Sequence, residues 1–74
     1  MILAELGIGE YAITDNGLAV LGLSDRSFKP LHEDDANVVH IANGIGAFRR
    51  NTRCNVVSAE RAFEVAMDYR LKKF

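Results

Sequence analysis

The spacing of apolar residues changes once along this chain. From Ser58 onward it is helical: at about 100° per residue, Ala59, Ala62, Phe63, Ala66 and Tyr69 fall on one side, and Glu60, Glu64, Asp68 and Lys72 form an i,i+4 row away from it. Ser58 offers an N-cap hydroxyl, Glu60 puts an anion in the first turn, and Arg70, Lys72 and Lys73 put cations in the last, as the helix dipole favours. The pattern predicts an amphipathic helix from Ser58 to Lys72. Three alanines on its inner face predict close approach to a flat surface, most simply a small antiparallel sheet.

Upstream the period shortens. In EYAITDNGLAVLGL, Asn16-Gly17 supplies the positive φ angles of a two-residue type I′ turn, which predicts a hairpin from Glu10 to Leu23 with Tyr11 and Ile13 across from Gly22 and Val20. GIGAFRRNTRCNVV predicts a second hairpin, with strands over 45–50 and 53–57 and Asn51-Thr52 as the turn, although threonine suits type I′ poorly. Each hairpin follows a Gly-Ile-Gly-x-aromatic stretch, at Gly7 and Gly44, read as strand entry rather than as a repeat.

Between them, EDDANVVHIANG reads two ways. As a helix, Asp34 or Asp35 caps it, Val38, Ile41 and Ala42 form its stripe, and Gly44 stops it. As strands, Asn43-Gly44 is a turn and Val38, Val39 and Ile41 supply β-branched residues. The helix near 35–43 is the expectation adopted. SDRSFKPLHEDD, which carries the only proline, reads as the longest loop. The predicted fold is therefore α+β: a small antiparallel sheet of one or two hairpins, packed by a C-terminal amphipathic helix, with a second short helix near 35–43. YAITDNGLAVLGL resembles the wing of winged-helix regulators over that short stretch alone, with no helix-turn-helix ahead of it, and implies no membership.

Size and composition narrow the function classes. A chain of 74 residues forms one compact domain over 1–74, because a chain this short buries only about 60% of its unfolded surface. A deep water-excluding cleft is not expected. The lone Cys54 precludes an intramolecular disulfide, the opening MILAELGIGE has no basic region of a signal peptide, and no apolar run approaches the ~18 residues of a bilayer span. A soluble, cytoplasmic protein without a membrane partner is expected.

Candidate chemistry is sparse. Neither glycine stretch completes G-x-G-x-x-G, and His32, His40 and Cys54 fit no paired metal-ligand spacing, even with Glu33, Asp34 and Asp35 nearby. A Cys54–histidine dyad would need an electropositive, accessible thiol. The carboxylate row Glu60, Glu64, Asp68 reads as solvated. The expectation is therefore no enzyme, no cofactor and no metal.

Charge says more. The formal net charge is −1, yet residues 1–35 hold seven acids against two bases, and residues 36–74 hold seven bases against three acids. Such polarity marks either a binding face or two halves that attract each other. FRRNTRCNVV concentrates the bases, and the candidate binding residues are Phe48, Arg49, Arg50, Arg53 and Arg61. Phe28 and Phe74 are further candidate anchors. These features predict a non-enzymatic interaction module, a stand-alone regulator or inhibitor that docks on a larger protein. Nucleic-acid binding by the same arginines is the alternative; against it, the pI is about 6.0, where dedicated nucleic-acid domains exceed ~9. The alanine face of the helix leaves a homodimer open.

Overall fold

An antiparallel sheet crossed by one helix builds the chain. In the computed structural model, which describes residues 1–23, 26–32, 38–40, 42, 44 and 46–73, β1 (Tyr11–Thr14), β2 (Ala19–Leu23), β3 (Ser27–Pro30), β4 (Val39–His40) and β5 (Cys54–Val57) precede α1 (Ala59–Lys73). The five strands lie in the order β4-β3-β2-β1-β5. The predicted α+β architecture is present.

The first hairpin forms one residue out of the predicted register. Tyr11 pairs with Leu21, Ala12 with Val20 and Ile13 with Ala19. Thr14 N donates to Leu18 O and Gly17 N to Thr14 O, each at 2.9 Å, so Asp15, Asn16 and Gly17 form a three-residue loop. Gly17 alone in that loop has positive φ, at 80°, whereas type I′ would require it of two residues. The buried Thr14 hydroxyl accepts from Leu18 N at 3.2 Å and favours the longer loop.

The second predicted hairpin does not form. β5 pairs with β1 instead, from Tyr11–Val57 to Thr14–Cys54. Arg49–Thr52 is a turn: Thr52 N donates to Arg49 O at 3.0 Å, while the Thr52 hydroxyl accepts from Arg49 N at 2.9 Å and donates to Ala47 O at 3.2 Å. The N-terminus takes the far edge of the chain at the start of β5, where Cys54 N donates to Met1 O and Leu3 N to Thr52 O, both at 2.9 Å. Covering an edge in this way removes a template for aggregation.

β3 occupies what reads in sequence as loop. Its proline is tolerated because Leu31 N donates to Ala19 O, so by antiparallel alternation the nitrogen of Pro30 faces away from β2, toward the side where β4 spans only Ser27 and Phe28. A helix through 35–43 is excluded by β4, in which Val39 pairs with Phe28 and His40 with Ser27; the edge of β3 gives β-branched Val39 a partner. Residues 35–37, 41 and 43 lie outside the described residues. The only other helical segment among the described residues is the 3-10 turn Leu3–Glu5.

Each face of the sheet has its own core. On one, Ala62 and Ala66 of α1 settle onto Ala19 and Leu31, ringed by Tyr11, Ile13, Leu21, Val57 and Val65. On the other, Leu3, Ala12, Val20, Phe28, Phe48 and Cys54 pack together. The turn Gly7–Glu10, with Gly9 at φ 78°, presses onto β2 so closely that a Cβ on Gly22 would collide with the Gly7 carbonyl oxygen. His32 ties the two layers: its ring stacks on Phe48 with centroids 5.6 Å apart and meets Tyr69 of α1 edge-on at 5.3 Å.

Candidate functional site

The arginine turn sits against a second segment. Gly44 N donates to His40 O at 3.1 Å, which curls the chain after β4. Gly44 then lies so near the turn that a Cβ on it would stand 2.9 Å from Phe48 O and 3.2 Å from Arg49 Cα. Its φ of 58° also suits glycine. Between the two segments is an open depression of about 450 Å3 lined by Ala42, Gly44, Arg49, Arg50 and Asn51.

A smaller depression of about 130 Å3 adjoins it. Ala4, Arg26, His40, Ala42 and Arg50 line it, so the two hollows share Ala42 and Arg50. Ala4 N donates to Arg50 O at 3.0 Å, which fixes the turn against the N-terminal segment. Three arginines and a histidine thus converge from the β2–β3 turn, β4 and the 49–52 turn. All four are exposed, and among the described residues no ion pair engages the three arginines.

The five candidate residues separate. Arg49 and Arg50 line the corner. Arg53 is exposed on the β5 side, where it bridges Ile2, and lines neither hollow. Arg61 stands in the first turn of α1, its amide donating to Ser58 Oγ at 3.1 Å and its guanidinium engaging Glu64. Phe48 is only 6% exposed. Its ring lies 5.6 Å from that of Phe28 and stacks on His32, so it is core and presents no surface to a partner. Phe28 is fully buried, and Phe74 lies outside the described residues.

Arg26 and His40 are absent from the sequence-derived set. Arg26 falls in the acidic half and His40 in the segment read as helix, so neither stood beside the arginine cluster. The recoverable signal was spacing: three residues separate Leu23 from Ser27, as three separate Thr14 from Leu18.

The carboxylates near the N-terminus are used locally. Glu5 accepts from Ile2 N at 2.9 Å and Glu10 from Gly7 N at 2.6 Å. The two halves of the chain are not joined by an ion pair among the described residues. Burial pushes the Cys54 thiol up; the terminal ammonium pulls it down, and Glu5, Asp15 and Glu10 add to the rise. Such a thiol is a poor nucleophile.

Elsewhere, Arg70 reaches from α1 to donate to Leu31 O at 2.9 Å. Of the face predicted to point inward, Ala62 and Ala66 are covered by the protein's own sheet, whereas Ala59, Phe63 and Tyr69 are exposed. Among the described residues no three His, Cys, Asp or Glu side chains gather to hold a metal, and no helix is long and apolar enough to cross a membrane. No family model matches the chain, and neither a curated protein nor a solved structure matches it.

Proposed function

We propose that this protein is a small non-enzymatic interaction module, a regulator or inhibitor that docks on a larger protein through the corner of Arg26, His40, Arg49 and Arg50. The observation that carries this reading is the convergence of those side chains, from three separate segments, on two adjoining open hollows. Arginine forks bind carboxylates in two-pronged fashion, and arginine is enriched at interface hot spots.

A protein partner fits better than nucleic acid. With a net charge of −1, the molecule lacks the broad positive field that draws a phosphate backbone. The cations form a corner rather than a track. The test is capture of a partner by the immobilised protein, its identification, and rebinding of the purified pair. A variant with Arg49, Arg50 and Arg53 all changed to alanine loses the partner, and Arg61→Ala keeps it. Undiminished binding by the triple variant would take those arginines out of the interface, and a mobility shift of oligonucleotide at low ionic strength would favour nucleic acid instead.

A further inference from the structure

Arg26 is the only non-glycine residue at positive φ among the described residues, at 55°. Its turn matches the first hairpin in length. There the third loop position is Gly17, at φ 80°; here, between the paired Leu23 and Ser27, the third position is Arg26. An L side chain resists this conformation because Cβ crowds the following carbonyl oxygen. Glycine is the ordinary residue at this point of a three-residue hairpin loop. Strain of this kind persists where the surrounding structure enforces it, and it concentrates at binding sites.

The side chain that replaces glycine lines the smaller hollow with His40 and Arg50. Ser27, the next residue, pairs with His40, so the strand register itself brings Arg26 to that histidine. His40 Nδ1 accepts from the Ala42 amide in a long bond of 3.4 Å, which leaves Nε2 as the ring atom not engaged by that contact.

We propose that Arg26 is a binding residue: with His40 and Arg50 it forms a second anion subsite beside the one at Arg49 and Arg50, and the corner takes an acidic protein segment that presents two neighbouring carboxylates. This rests on the reading of the corner as the docking surface. The smaller hollow, about 130 Å3, suits one carboxylate group, and the larger, about 450 Å3, has room for a whole acidic side chain. Because Arg50 borders both, the two groups lie side by side.

The test titrates hexaglutamate into 15N-labelled protein at low ionic strength, follows the amides at positions 26, 40 and 49–51, and runs thermal melts of every variant in parallel. The wild type binds, with shifts confined to the corner. Arg26→Gly, relieved of strain, melts roughly 4–8 °C higher yet binds about threefold to fivefold more weakly. Arg49→Ala also weakens binding, and Arg61→Ala does not. If Arg26→Gly binds as the wild type does while Arg49→Ala is weakened, Arg26 leaves the site and the corner stands. If neither variant weakens binding, or the wild type does not bind, the reading of the corner falls with it. An Arg26→Gly melt at or below that of the wild type removes the strain argument. Tighter binding of a thymidine hexanucleotide than of hexaglutamate overturns the assignment to carboxylates.

Discussion

Replacing Phe48 with alanine tests whether the residue beside the arginine turn belongs to the core or to the interface. The ring is 94% buried and lies 5.6 Å from both Phe28 and His32. Burial of such a side chain is worth roughly 1.5–3 kcal/mol. Ring pairing adds about 0.5–1.5 kcal/mol, and the cavity left behind brings a phenylalanine truncation to about 3–5 kcal/mol in total. A domain of 74 residues has about 4–11 kcal/mol of stability in all, so the variant loses roughly a quarter or more of it. Urea unfolding followed by far-UV circular dichroism reads this directly. With a slope near 1 kcal/mol per molar for a domain this small, the midpoint falls by about 3–5 M, and the weakest wild-type estimates leave the variant largely unfolded. Phe48→Leu, which keeps most of the volume, costs about 1 kcal/mol. A Phe48→Ala variant within about 1 kcal/mol of wild type that nevertheless fails to bind a partner would return Phe48 to the interface and refute the packing argument.

Three further outcomes follow from particular contacts. Gly22→Ala forces a methyl into the Gly7 carbonyl, which is backbone and cannot swing aside, and costs about 2–3 kcal/mol in the same urea assay. Ser58→Ala removes the cap on Arg61 N and lowers the thermal midpoint by roughly 4–8 °C, the equivalent of about 1 kcal/mol. Because the folded state holds the Cys54 thiol above its ordinary value of 9.0, its contribution is intact below that pH and fades as pH rises through and beyond it. Wild-type urea midpoints therefore fall more steeply above pH 9.0 than those of Cys54→Ala, and iodoacetamide labels the native thiol more slowly than free cysteine.

What could be read from the chain follows the range of the interactions. The helix was legible almost to the residue because its period, its Ser58 cap and its terminal charges are all local. The first hairpin was legible but not its register, since the Asn16-Gly17 signal competed with a Thr14 hydroxyl whose bond to Leu18 shows only in three dimensions. β5 was placed correctly as a strand and given the wrong neighbour. Nothing in CNVV says that it prefers Tyr11–Thr14 to the preceding segment, nor that Met1–Leu3 will bond at its first residue. β3 was lost to a general rule about proline that the sheet evades at one nitrogen. Exposure divided in the same manner: the polar turn of Arg49 and Arg50 is exposed as its sequence implies, Phe48 is buried although its sequence neighbours are polar, and Arg26 and His40 are brought to the same corner by β3–β4 pairing that spans the sequence.

The corner and the fold are linked through the β2–β3 turn. In the first hairpin the loop residues specify the turn, with Gly17 at the positive-φ position and the Thr14 hydroxyl bonded across it. In the second the strands hold the ends: four cross-strand pairs run from Val20–Pro30 to Leu23–Ser27, anchored by the fully buried Val20 and Phe28. An arginine in the left-handed region costs about 1–2 kcal/mol. Against a total of roughly 4–11 kcal/mol that is a sizeable fraction, which the paired strands on either side offset. The sheet therefore supplies the stability that holds Arg26 at the rim of the hollow, where a glycine would fold more easily and contact nothing.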